Sequence, residues 1–231
     1  MRPRRSFTAR RIVRVAAAIA AAGFVRERML RWGATDDELA LVLPGDELLL
    51  TPALTSTRAI TIGAHRADVW PWIAQLGYGR GGFYTYDRLE NLVGVDIHNA
   101  DTIVPEWQDL GLGDDVLLAP TVPLQVARLD PQRAVVLRGA VPMGKIEAPY
   151  DFTWAFVLDD VPRASAGSPN GGTRLIVRER YAYRRAWAPL LVEPIEVISF
   201  VMTQRMLRGV RNRAERSPHR HVGAGGVTPA R

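Results

Sequence analysis

Hydrophobic and polar residues alternate with period two in several stretches of the chain, and this pattern predicts β-strands. The predicted strands are Thr57–Gly63, Asp115–Ala119, Leu124–Leu129, Ala134–Arg138, Phe152–Leu158 and Arg174–Tyr183. A turn at Asp130–Arg133 separates two of them, and the run as a whole predicts antiparallel strands.

Steps of three and four residues replace this alternation near the end of the chain and predict one long helix, Pro189–Arg213. Its apolar stripe consists of Leu191, Ile195, Ile198, Met202 and Met206. Two shorter helices are predicted earlier, at Ala64–Leu76 and Tyr86–Val93. Strands followed by a long helix predict an α+β layer in which the sheet wraps the helix, with room for a cavity between them.

The chain divides into three segments by composition. Residues 1–52 are predicted to be an N-terminal helical extension, in which Thr35 and Glu38 have the spacing of a helix capping box. Residues 53–215 form the predicted folded domain. Residues 216–231 are rich in Gly and Pro and predict a disordered tail, and residues 162–172 predict a flexible hairpin connection.

Charge and cysteine content exclude several classes of function. The net charge is +6, but most of the excess arginine lies near the two ends of the chain. No basic face interleaved with aromatics is present, so we expect no nucleic-acid partner. The chain has no cysteine, which excludes disulfides, thiolate nucleophiles and cysteine metal sites.

The N-terminal helix combines arginines with an apolar, alanine-rich run, Val15–Val25. This run is about half of the ~20 residues that a membrane-spanning helix needs. Arg4–Phe7 is similar to a twin-arginine export signal, but Arg14 lies where the apolar region of a signal would begin. We therefore expect a cytoplasmic protein whose basic N-terminal helix makes peripheral contact with a membrane surface.

Several short motifs between residues 31 and 185 resemble a group of bacterial proteins of the SRPBCC family, which is START-like and Bet v 1-like and includes polyketide cyclase-like proteins. The motifs are Arg31–Thr35, Leu43–Asp46, Thr57–Ile62, Val69–Trp72, Gly79–Tyr84, Asp87–Asn91, Ile103–Gln108, Thr153–Phe156 and Val177–Tyr181. The resemblance implies a helix-grip fold, a curved antiparallel sheet wrapped around a long C-terminal helix, with a hydrophobic cavity. It implies no fixed catalytic set.

Aromatic residues are the first candidates for lining such a cavity, since they supply apolar area together with a polar group. The candidates are Tyr84, Tyr86, Trp107, Trp154 and Tyr181. The glycine-rich loop Gly77–Gly82 matches neither nucleotide-binding fingerprint, because it does not follow a strand and lacks the Lys-Ser/Thr ending. We interpret it as a turn that brings aromatics to the cavity mouth.

The last strand carries a carboxylate among apolar and phenolic residues. By alternation, Glu179 shares one face with Val177 and Tyr181, while the arginines of the strand share the other face, which we expect to meet solvent. An inward carboxylate needs a partner, and Arg138 is the predicted one, either as an ion pair or as part of a ligand site. This pairing places Thr153 inward, and the inward phase of 152–158 stays open.

Acid–base chemistry has three candidate residues, His98, Glu106 and Glu179. Asp96, His98 and Asp101, followed by Glu106, do not have the spacing of a known metal site, so we expect neither metal nor cofactor. The sequence favours a binding or carrier protein for a lipophilic, lipid-like or polyketide-like molecule. The alternatives are a cyclase or dehydratase enzyme and a membrane-surface interaction protein.

Overall fold

The computed structural model of the chain describes residues 5–85, 99–140, 147–162 and 171–216. Its helices are α1 (Arg5–Leu30), α2 (Asp36–Ala40), α3 (Arg66–Ala74) and α4 (Ala188–Arg216). Its strands are β1 (Leu54–Ile62), β2 (Asp115–Ala119), β3 (Val122–Asp130), β4 (Ala134–Gly139), β5 (Tyr150–Val161) and β6 (Gly172–Tyr183). The predicted helix Tyr86–Val93, most of the 162–172 connection and nearly all of the predicted tail lie outside the described residues.

The six strands form one antiparallel sheet in the order β1-β6-β5-β4-β3-β2. Register shifts near Leu117 and Val126 mark bulges in β2–β3 and β3–β4 pairing, and bulges bend a sheet. The 29-residue α4 packs across one face. This is the α+β helix-grip fold that the sequence predicted, with all of the predicted strands present.

The inner face of the sheet, which faces α4, carries the main apolar core. Phe152, Trp154 and Phe156 of β5 are all buried in it, which settles the open phase of this strand. Register explains the result, because Trp154 lies directly opposite Glu179 of β6, and paired residues point to the same face. Thr153 and Ala155 therefore face the other side.

Residues 31–50 also cover much of the outer face of the sheet. Leu43 packs there on a second apolar cluster with Ala59, Ala134, Val157 and Ile176. The capping box predicted at Thr35 and Glu38 is present and starts α2 in this segment. The central strands are thus buried on both sides, whereas Gln125 of β3 and Arg138 of β4 stay exposed on the outer face. The division of the chain at residue 52 stays a prediction.

Arginines of β6 bind the covering segment to the sheet. Arg178 is 4% exposed and donates to the backbone carbonyls of Glu38 (2.9 Å) and Leu41 (2.8 Å) and to Asp46 Oδ2 (2.7 Å). Arg174 pairs with Glu38, and Arg180 pairs with Asp46. The expectation that this arginine face meets solvent is therefore wrong. Alternation assigned the face correctly, but it could not show that another segment lies over it.

We expect Arg178→Met to lower the free energy of unfolding by about 3 kcal/mol, because the substitution leaves a carboxylate and carbonyls without their buried donor. Arg184 of the following loop is the matched control. It pairs with Asp151 and Glu147 at an exposed position, so Arg184→Met should leave the free energy of unfolding nearly unchanged. Urea unfolding measures both. Equal losses would show that the covering segment is not held by Arg178.

Candidate functional site

A cavity of about 290 Å³ lies between the inner face of the sheet and the N-terminal half of α4. The sheet contributes mainly aromatic side chains, and α4 contributes aliphatic ones with two hydroxyls. The lining residues are Phe83, Thr85, Leu118, Tyr150, Phe152, Trp154, Glu179, Tyr181, Val192, Ile195, Ile198, Ser199, Met202, Thr203 and Met206. Four of the five predicted stripe residues of α4 are among them, so the stripe faces the sheet as expected.

The mouth of the cavity is bordered by apolar residues of α4. Ile195 and Ile198 line the cavity and are nevertheless 44% and 60% exposed. Further along the helix Met206 is 2% exposed and closes the inner end. The lining of the cavity therefore continues onto the protein surface at one end of α4.

Aromatic side chains in mutual contact form the sheet side of the cavity. Phe152, Trp154 and Tyr181 form a chain of ring contacts with centroids 4.8 to 6.4 Å apart, and Phe83 stacks on Trp154 at 5.8 Å. Such offset and tilted arrangements are favourable for aromatic pairs. The indole nitrogen of Trp154 has no hydrogen-bond partner among the described residues.

Glu179 is the polar end of the cavity. Its carboxylate accepts hydrogen bonds from Ser199 Oγ (2.9 Å) and Thr203 Oγ1 (3.2 Å) of α4, and Ser56 Oγ of β1 lies at 3.4 Å. The residue is 3% exposed. The carboxylate thus joins the sheet to the helix on the wall of the cavity, as its inward position in β6 predicted.

Arg58 of β1 is the cationic partner of Glu179, and it is fully buried. Its Nη1 lies 3.4 Å from Glu179 Oε2, its Nη2 donates to Glu196 Oε1 of α4, and its Nε donates to the carbonyl of Met29 at 3.1 Å. The predicted pairing of Glu179 with Arg138 is wrong. Arg138 lies opposite Thr153, which lies opposite Arg180, so it is on the other face of the sheet.

The sequence-based prediction missed Arg58 and Glu196, although the sequence contains a signal for each of them. Alternation in β1 places Arg58 on the same face as Ile60 and Ile62, which are core residues, and a charged residue on such a face calls for a partner. Glu196 lies four residues after the buried Val192 and seven before Thr203, which is the spacing of one helix face.

Two buried carboxylates, Glu179 and Glu196, share this single arginine, and this arrangement favours the protonated form of Glu196. Burial, followed by the negative charge of Glu179, raises the pKa of Glu196 to about 7. Its Oε2 has no hydrogen-bond partner in the part of the chain that the structure describes. Burial, and then the charges of Glu179 and Glu196, also raise the pKa of Tyr181 well above its ordinary value, so this phenol stays protonated at neutral pH.

The other predicted site residues are distributed as follows. Trp154 and Tyr181 line the cavity with Glu179. Arg138 is exposed and borders a separate surface groove with Asp151 and Arg184. Glu106 is exposed and Trp107 partly buried in a 3₁₀ turn that does not border the cavity. Tyr86, Asp96 and His98 lie outside the described residues.

Tyr84 positions its neighbours rather than bordering the cavity itself. Its hydroxyl donates to the carbonyl of Trp72 at 3.0 Å, and the guanidinium of Arg213 lies 4.7 Å from its ring centre. Its backbone has a left-handed φ of 56°. A Cβ on Gly209 of α4 would lie 2.6 Å from the Tyr84 carbonyl oxygen. This contact holds the loop that brings Phe83 and Thr85 to the cavity against the helix.

Within the described residues, no three His, Asp or Glu side chains converge as metal ligands. Asp101, one of the residues considered for a metal, instead pairs with Arg213 at 2.8 Å. None of the described helices has an apolar stretch sufficient to cross a bilayer.

Comparisons with known proteins give similarity in structure only. No family model and no curated protein sequence matches the chain.

Three solved structures are similar to it in fold. A hypothetical protein, jhp0584 from Helicobacter pylori, is 10% identical with a TM-score of 0.46, covering 75% of this chain and 95% of the other. A norcoclaurine synthase mutant from Thalictrum is 12% identical with a TM-score of 0.43, covering 70% and 93%. CalU16 from Micromonospora echinospora is 14% identical with a TM-score of 0.33, covering 70% and 84%. Similarities this distant carry no information on ligand or reaction.

We expect the free energy of unfolding to fall as pH rises from about 4.5 to 7, because the folded state holds a proton on Glu196 that the unfolded state releases near pH 4.5. With a pKa of about 7 in the folded state, the total loss is on the order of 3 kcal/mol. Below pH 4.5 both states are protonated, and above pH 7 the loss is complete. Unfolding at pH 5 and pH 8 measures it.

Glu196→Gln is the control for this pH dependence. The amide cannot ionise, and Arg58 keeps Glu179 as its partner, so the variant should lose less stability between pH 5 and pH 8 than the unmodified protein. Identical losses in the two proteins would show that Glu196 is not the titrating group.

Proposed function

We propose that this protein binds or carries a lipophilic small molecule, lipid-like or polyketide-like, in the cavity between the sheet and α4. The observation that carries the proposal is the cavity itself, since a well-packed domain core leaves few voids larger than a water molecule. Its lining is mostly aromatic and aliphatic with a few polar groups, as is typical of ligand sites. Trp154, Glu179 and Tyr181 are the predicted ligand residues that border it.

Native mass spectrometry of the protein purified from its own host tests the proposal directly. We expect a bound species in the mass range of a small lipophilic molecule, which organic extraction removes. Purified protein that carries nothing, and that takes up nothing from a total lipid extract, would contradict it.

A cavity-filling substitution on α4 should abolish binding. Met202 lines the cavity, whereas Val201 beside it is 41% exposed and does not. We expect Met202→Trp to weaken binding of the neutral dye N-phenyl-1-naphthylamine by about tenfold or more, because the indole occupies the ligand's space. Val201→Trp adds the same group outside and should leave dye affinity unchanged. Fluorescence titration measures both, and equal affinities would place the dye elsewhere.

A cyclase or dehydratase activity is the alternative for the same cavity. Of the proposed acid–base residues, Glu179 borders the cavity, Glu106 does not, and His98 is outside the described residues. Among the described candidates, Glu179 is therefore the residue that would transfer a proton in the cavity. Glu179→Gln should then abolish turnover while ligand binding persists.

We also propose that α1 contacts anionic membrane surfaces. Its apolar residues are exposed along much of its length, with Val13, Ile19 and Phe24 each 60% exposed or more. The helix has no acidic residue before Glu27, and it has arginines on both sides of the apolar run. Apolar area beside cationic groups favours anionic lipid.

Deleting residues 1–24 should abolish this membrane contact and leave the domain folded. The deletion ends before Met29, whose carbonyl binds Arg58, and the side chains that it removes are exposed wherever the structure describes them. We expect the full chain to sediment with vesicles containing phosphatidylglycerol at low salt and to be released by about 0.5 M NaCl, which screens exposed charges. The shortened chain should stay in the supernatant and still bind the dye. Sedimentation of both proteins alike would contradict the proposal.

A further inference from the structure

The cavity wall carries one ionic side chain. Among the described residues that border the cavity, Glu179 is the only Asp, Glu, Lys or Arg, and every other polar side chain is a hydroxyl or an indole. A ligand head group entering the polar end therefore meets a carboxylate.

Behind this wall the charges do not balance. Within the described ranges, Arg58 is the only cation bonded to either Glu179 or Glu196, and its three nitrogens are already used by Glu179, Glu196 and the Met29 carbonyl. With both carboxylates ionised, the cluster has a net charge of −1. The Glu196 Oε2 atom is buried and has no hydrogen-bond partner among the residues that are described, so the second negative charge is only partly stabilised.

This imbalance distinguishes between ligand head groups. A ligand carboxylate would be a third anion beside one arginine, in a site where water is largely excluded and charges interact strongly. A protonated amine would instead supply the missing positive charge and donate to Glu179. An alcohol can donate a hydrogen bond but brings no charge, so it should lie between the two.

We propose that the cavity selects lipophilic molecules with a protonated amine head group, which binds Glu179, and rejects those with a carboxylate head group such as fatty acids. This inference rests on the proposed binding function and adds the ligand class to it. A bound amine also gives the charge cluster a second way to reach a net charge of zero. Without ligand, Glu196 takes up a proton near neutral pH, and a bound cation replaces the need for that proton.

Competition by three probes with the same tail tests the selectivity. Decylamine, 1-decanol and decanoate would each displace N-phenyl-1-naphthylamine at pH 7.4, at concentrations below aggregation. We expect decylamine to compete at a concentration about tenfold or more below that of decanoate, with decanol between them. Glu179→Gln removes the wall charge and should reduce the amine-to-carboxylate preference to near unity.

Glu193→Gln is the matched control, because it removes a carboxylate of the same helix that pairs with Arg26 outside the cavity. It should leave the preference as it is in the unmodified protein. Decanoate competing as well as decylamine in the unmodified protein would overturn the amine proposal, while dye binding would still support a lipophilic cavity. A dye that does not bind at all would overturn both. If Glu179→Gln fails to fold, the order of the three probes in the unmodified protein still decides.

Discussion

The buried charge cluster around Arg58 is the constraint on which this structure depends. One guanidinium on β1 binds Glu179 on β6, Glu196 on α4 and the end of α1 through the Met29 carbonyl. A buried charge of this kind is unfavourable unless every partner is in place. The interaction therefore couples the position of the helix to that of the sheet, and it does so at the edge of the cavity between them.

A second set of charges lies on β6, on the face opposite to that of Glu179. Glu179 faces the cavity, and Arg178 and Arg180 on either side of it bind the segment that covers the outer face. Strand β6 thus serves two layers at once through simple alternation. A shift of one residue in its register would direct arginines into the aromatic wall and the carboxylate into the covering segment, so both layers favour the same register.

Alternation and helical periodicity were sufficient to predict the strands, the terminal helix, its stripe and the inward position of Glu179. They failed where the answer depends on which strands are neighbours. Arg138 and Glu179 are both on strands next to β5, but whether they share a face depends on the exact register through Thr153 and Trp154, which one sequence does not specify. Covering of the outer face was missed for a similar reason, because residues 31–50 have little regular structure and their role comes from tertiary contacts. Arg58 and Glu196 could have been predicted to be buried, since each is a charged residue on the apolar face of its strand or helix.

The two halves of α4 are held with unequal strength. The C-terminal half is packed without space, with Leu207, Val210 and Ala214 completely buried and Gly209 pressed against the Tyr84 backbone. The N-terminal half lies over the cavity and is attached through the buried Ala188 and Val192 and through the polar side chains that meet Glu179 and Arg58. The helix is therefore packed more tightly at its C-terminal end, and a ligand would enter the cavity by displacing the N-terminal half of the helix from the sheet. Such a movement would separate Glu196 from Arg58 and uncover Val192, while the hydrophobic core beneath the C-terminal half would stay closed.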